Sequence, residues 1–138
     1  LQARANVNVK HNAGYSALMQ AAAAGYIKIV KLLLQARADI HAKENAGNNA
    51  LMIASMKGHV KIVKLMIQAG ADVNTKNNFG ATALMIASMK GYIEIVKFLI
   101  QARANVNVKN SYGDTALSIA SNESRTEIIK LLKQAGAR

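Results

Sequence analysis

The sequence predicts an all-α repeat solenoid, in which helix-turn-helix units stack side by side and are joined by β-turn, hairpin-like loops. Three observations carry this reading. The tetrads Ser16-Ala17-Leu18-Met19, Asn49-Ala50-Leu51-Met52, Thr82-Ala83-Leu84-Met85 and Thr115-Ala116-Leu117-Ser118 recur every 33 residues without an insertion. Glycines keep the same period, at Gly14, Gly47, Gly80 and Gly113 and again at Gly25, Gly58 and Gly91. Each unit also holds two apolar stretches of helical period on either side of the second glycine. Positions 44–76 and 77–109 are identical at 21 of 33 residues, which makes them copies rather than chance likenesses. The chain therefore divides into units 11–43, 44–76, 77–109 and 110–138, the last short by four residues and shaped as a cap. Residues 1–10 are the tail of one more unit, and 1–138 forms a single domain.

The elements follow in order within a unit. Ser16, Asn49, Thr82 and Thr115 precede an apolar run, and their side-chain oxygens can accept an unpaired amide of a helix's first turn. A first helix is expected to start near Ala17, Ala50, Ala83 and Ala116 and to run about two turns, to Gly25, Gly58 or Gly91. The fourth glycine of that series is replaced by Ser124. A second helix comes next. In Ile27-Lys28-Ile29-Val30-Lys31-Leu32-Leu33-Leu34 the lysines fall three apart, on one face, while Ile29, Val30, Leu32 and Leu33 are expected to face inward. The stretch 71–80 is rich in turn formers and too short for another helix, so it is expected to be an extended loop with a tight turn.

This pattern resembles the ankyrin repeat, over essentially the whole chain. Gly58-His59, Ile62-Val63-Lys64-Leu65 and Gly70-Ala71-Asp72-Val73-Asn74 match the family's turn, second helix and loop. The resemblance implies stacked helix pairs, with the second helices forming a convex back and the loops and first helices a concave binding surface. It also implies a protein-interaction module. Two departures are consistent. The tetrad's proline is Ala17, Ala50, Ala83 or Ala116, and its histidine is Met19, Met52, Met85 or Ser118. In the family that histidine ties neighbouring loops, so its loss predicts a less rigid loop row on an unchanged fold. Arg4, Arg37 and Arg103 stand where Gly70 and Gly136 stand, at a left-handed position that costs an L-residue roughly 1–2 kcal/mol. They are expected to be strained, or to alter the turn.

Composition narrows the function. Half the residues are apolar (51%) and only 4% aromatic, enough for an aliphatic core and too apolar for global disorder. No cysteine is present, which removes disulfides, thiolate nucleophiles and cysteine-based zinc sites. His11, His41 and His59 occupy three different repeat positions and are expected to be surface or turn residues, and no metal or cofactor is expected. No apolar run approaches the about 18 residues that span a bilayer, and residues 1–10 lack a signal-peptide core. Membrane insertion is not expected, and cytoplasm or nucleus is the most compatible compartment. The seven carboxylates are scattered over four units, no Ser-His-acid set is assembled, and the glycines do not follow a strand to cradle phosphate. A non-enzyme without a small-molecule substrate is expected.

Charge and the loops point to partners. Eighteen Lys and Arg against seven Asp and Glu give a net charge of +11. Lysines recur as ladders at Lys10, Lys43, Lys76 and Lys109 in the loops and at Lys31, Lys64, Lys97 and Lys130 in the second helices, with Lys28 and Lys61 beside the latter. The second-helix ladder is expected to be a solvated face, and the loop ladder to meet an acidic partner protein. Partner contacts are expected from Asn12, Ala13 and Tyr15, from Asn45, Asn48, Met56 and Lys57, from Phe79, Ala81, Met89 and Lys90, and from Tyr112 and Asp114, with Lys43, Lys76 and Lys109. The alternatives are a structural spacer or an engineered scaffold without a native partner. Nucleic-acid binding is disfavoured, because only Tyr15, Phe79 and Tyr112 among the loops could stack on bases.

The ends differ. Ser118, Ser121, Asn122, Glu123, Ser124, Arg125 and Thr126 make the last unit polar, as does Lys133 where Leu34, Ile67 and Ile100 stand earlier. The first full unit looks as apolar as the middle ones. Either a longer array precedes it, or the exposed unit pairs with another molecule, self-association included.

Overall fold

The computed structural model describes residues 6–138, so Arg4 and the rest of 1–5 lie outside the described residues. Each polar tetrad residue does what its chemistry suggests. The Met19, Met52, Met85 and Ser118 amides donate to the side-chain oxygens of Ser16 (3.3 Å), Asn49 (2.9 Å), Thr82 (3.3 Å) and Thr115 (3.2 Å). The helices that follow are α1 (Ala17–Ala24), α2 (Ile27–Gln35), α3 (Ala50–Lys57), α4 (Val60–Gln68), α5 (Ala83–Lys90), α6 (Ile93–Gln101), α7 (Ala116–Asn122) and α8 (Thr126–Gln134). A short 3-10 turn, Asn12–Gly14, precedes α1.

Glycine ends the first helix of three units. Gly25, Gly58 and Gly91 take φ of 79°, 78° and 79°, where a side chain is disfavoured. In the last unit α7 stops one residue earlier, and Ser124 accepts φ 56° instead. The site is crowded as well as left-handed: a Cβ on Gly58 would lie 2.9 Å from the Tyr92 ring, and one on Gly91 2.9 Å from the Arg125 guanidinium. His59, Tyr92 and Arg125 thus pack over Gly25, Gly58 and Gly91 of the units before them. His59 Nε2 reaches the Ala23 carbonyl at 3.0 Å, and Arg125 donates twice to the Met89 carbonyl, at 3.2 and 3.0 Å.

The stack has two rows. First helices pack consecutively (α1 on α3, α3 on α5, α5 on α7), second helices do the same, and each first helix packs on its own second helix. The first helices approach more closely because their facing residues are small or unbranched: Ala54, Ala87 and Ala120 are fully buried, with Met52 and Met85 beside them. Val63, Val96, Leu99 and Leu132 close the core from the second-helix side. The methionines of the tetrad are therefore core residues.

One expectation about the first unit needs correction. Ile29 and Leu32 are not inward: they are 45% and 56% exposed, whereas Ile62, Ile95 and Ile128, the counterparts of Ile29, are buried. Those counterparts are covered by the second helix of the preceding unit, and among the described residues nothing covers α2 on that side. At one position the first unit is the more polar. Gln20 is exposed where Ile53 and Ile86 are buried.

Candidate functional site

The loop tips are built from a repeated hydrogen-bond scheme. A β-turn closes at each tip, the amides of Gly14, Gly47, Gly80 and Gly113 donating to the carbonyls of His11, Glu44, Asn77 and Asn110. Asparagine side chains then hold the turn from inside. Asn77 Oδ1 accepts from the Phe79 and Ala81 amides (2.9 and 3.0 Å), and Asn110 Oδ1 from those of Tyr112 and Asp114 (2.9 and 3.0 Å). In the second unit the almost buried Glu44 does part of this work, accepting from the Asn48 amide at 2.8 Å. These holding residues were not among the expected contacts, although Asn-x-x-Gly before a tetrad is a recognisable side-chain turn signal.

Adjacent tips are joined to one another. The amides of Asn45, Asn78 and Ser111 donate to the carbonyls of Ala13 (2.8 Å), Ala46 (3.0 Å) and Phe79 (2.9 Å). Side chains add rungs: Asn77 Nδ2 to Asn48 Oδ1, Asn78 Nδ2 to the Asn45 carbonyl, and the Lys10 and Lys43 ammoniums to the Lys43 and Lys76 carbonyls at 2.8 and 3.0 Å. The row is tied without the tetrad histidine, backbone amides and asparagines supplying the links.

The expected contact residues fall into two groups on this frame. Phe79 and Tyr112 occupy successive tips and are 54% and 77% exposed, and Met89 at the end of α5 is 42% exposed. Asn12, Ala13, Asn45, Lys43, Lys57, Lys76, Lys90 and Lys109 are also exposed. Lys57 and Lys90 close the last turns of α3 and α5, where a cation suits the helix dipole. Tyr15, Met56, Ala81 and Asp114 are half-buried. Asn48 is buried and spent on its bond to Asn77, so it is turned away from solvent. Positive φ marks Ala13 (61°), Arg37 (63°) and Arg103 (66°), and the two arginines do adopt the left-handed conformation expected of them.

The surface charge has few internal partners. Among the described residues one ion pair forms, Lys97 with Glu94 at 3.5 Å, on the surface where such a pair is worth about 0–1 kcal/mol. No three His, Asp or Glu side chains gather there, and no helix is long and apolar enough to cross a membrane.

The tied loops, the glycine-ended first helices and the two-row stack agree with the comparison to family models. Ankyrin repeats (3 copies) matches residues 1–77 and 69–138. The chain belongs to the ankyrin-repeat family. Ankyrin repeats are protein-interaction modules and are typically non-catalytic, which is the coarse function of this chain's fold. No curated protein matches the chain significantly.

Proposed function

We propose that this ankyrin-repeat chain is a non-catalytic module that binds one face of a partner protein through its loop tips and the exposed ends of its first helices. The observation that carries the reading is the pair Phe79 and Tyr112. Two aromatic rings stand on adjacent tips, largely in solvent, on backbones fixed by Asn77 and Asn110. Rigid exposed aromatics bind at low entropic cost and are frequent interface anchors. Lys57, Lys76, Lys90 and Lys109 are exposed on the loops and first-helix ends, and an acidic partner face would complement them. Alanine at Phe79 and Tyr112 together should weaken an isolated partner by about thirtyfold or more while the helical circular dichroism stays unchanged. Unaltered affinity would remove the tips from the interface.

A second reading has its own observation. Tyr26, Ile29 and Leu32 leave an apolar face on α2 that nothing covers among the described residues, whereas the Ile29 counterparts Ile62, Ile95 and Ile128 are buried, and a second copy placing the same face against it would cover both. Ile29→Lys with Leu32→Lys should then abolish any concentration-dependent rise in sedimentation coefficient. A wild-type chain that stays monomeric at high concentration rejects this pairing.

A further inference from the structure

The backs of the four units are not alike, although their sequences are copies. Lys31, Lys61 and Lys64 line a shallow groove between α2 and α4, of about 330 Å³, together with Ile27, Leu65 and Gln68. Neither helix contains an acidic residue, and exposed Lys28 adds a fourth cation one turn from Lys31. The next two grooves along the back are of similar size and different chemistry. Between α4 and α6 the one lysine is Lys64, whose ammonium lies 5.7 Å from the centre of the Phe98 ring that forms the opposite wall. Between α6 and α8 it is Lys97, paired with Glu94 at 3.5 Å. The later second helices also carry acid: Glu94 and Glu127 stand on α6 and α8 where Lys28 and Lys61 stand in the first two units.

Lys28, Lys31 and Lys61 stand on this face with no carboxylate on either helix to offset them, while the Lys64 ammonium lies over Phe98. Carboxylates placed among them would supply that offset. The floor adds a second requirement, because Ile27 and Leu65 are half-buried apolar side chains recessed between the lysines. A phosphate backbone would satisfy the charges and leave that floor wet, and a bilayer surface calls for apolar side chains that protrude. We propose that the groove between α2 and α4 is a second docking site, specific for an acidic amphipathic segment of a partner protein. One apolar side chain of that segment enters between Ile27 and Leu65, and its carboxylates meet Lys31 and Lys61, with Lys28 beside them. The site lies on the second-helix row, apart from the loop tips, and is independent of what the tips bind.

The test uses the full chain, labelled for amide NMR, and a synthetic helical peptide carrying glutamates on both sides of a leucine stripe. Addition of peptide should shift the amides of residues 27–31 and 61–68 and leave those of 79–81 and 112–114 in place. Lys31→Glu with Lys61→Glu should weaken the peptide about tenfold or more, whereas Lys97→Glu with Lys130→Glu should change it by less than about threefold. A peptide with serine in place of its leucines should also bind about tenfold more weakly. The proposal is overturned if the shifts fall on the loop tips or are absent. Equal loss from the two sets of lysine variants, indifference to the leucines, or tighter binding of polyuridylate or phosphatidylserine vesicles at the same amides would overturn it too. The shift map on the unaltered chain decides the matter even if a variant loses helicity.

Discussion

Arg37 and Arg103 hold φ of 63° and 66° in the position that Gly70 occupies at 93° and Gly136 at 97°. Left-handed backbone costs an L-residue roughly 1–2 kcal/mol, and glycine loses about 0.5–1 kcal/mol of that advantage through its freer unfolded chain. Arg37→Gly and Arg103→Gly should therefore each stabilise by up to about 1 kcal/mol, read as a higher urea midpoint at unchanged slope. A fall in the midpoint would mean that the arginines make compensating contacts. A second residue-scale test concerns a missing rung. Asn8 Oδ1 accepts from the Asp39 amide and Asn74 Oδ1 from the Asn105 amide, both at 2.7 Å, but His41 stands at that position in the first unit and makes no such bond to Asp72. His41→Asn should complete the ladder and add about 0.5–1.5 kcal/mol, with slowed exchange of the Asp72 amide as the specific sign. The strain at Arg37 was legible in the sequence, because glycine at the same position of sister units names the conformation. The broken rung was not, since the loop asparagine's partner is a backbone amide 31 residues away.

At the scale of the element, the glycines after the first helices separate two effects. Gly58→Ala should destabilise by about 2 kcal/mol or more, because the new methyl meets both an unfavourable φ and the Tyr92 ring at 2.9 Å. Gly113→Ala meets the φ alone, with nothing within 4 Å, and should cost about 1–2 kcal/mol. Equal losses in thermal unfolding would show that packing over the turn contributes little. The helix starts were legible to the residue, since a polar cap before an apolar run leaves little choice of where the first turn begins. What periodicity could not supply was which side of a second helix its neighbour covers. Ile29 and Ile62 have the same place in the pattern, and only Ile62 has another second helix against it. Likewise Asn48 and Phe79 both fall in the tip loops, and hydrogen bonding turns one inward while leaving the other in solvent.

For the whole molecule, stability in a stack is a sum of unit and neighbour terms, so the unit with the most uncovered apolar surface should open first. Exposed Tyr26, Ile29 and Leu32 place that weakness in residues 11–43, whereas in the last unit Lys133 is exposed where Leu34, Ile67 and Ile100 are half-buried. Hydrogen exchange should show 11–43 exchanging ahead of the other units, with the amides of α1 leading those of α3 and α5. Earlier exchange of 110–138 would contradict this. The +11 charge bears on association instead of folding: raising salt should slow the on-rate for an acidic partner more than it speeds the off-rate. The period of 33 made the stack legible from the sequence, but not the partner, because a recognition surface made of loop tips carries no reactive motif to search for. The most direct test of binding through the tips is hydrogen exchange of the chain with and without a partner isolated on it. Slowed exchange at residues 79–81, 89–90 and 112–114 is the expected result, and protection confined to the second helices, with the tips unchanged, would contradict it.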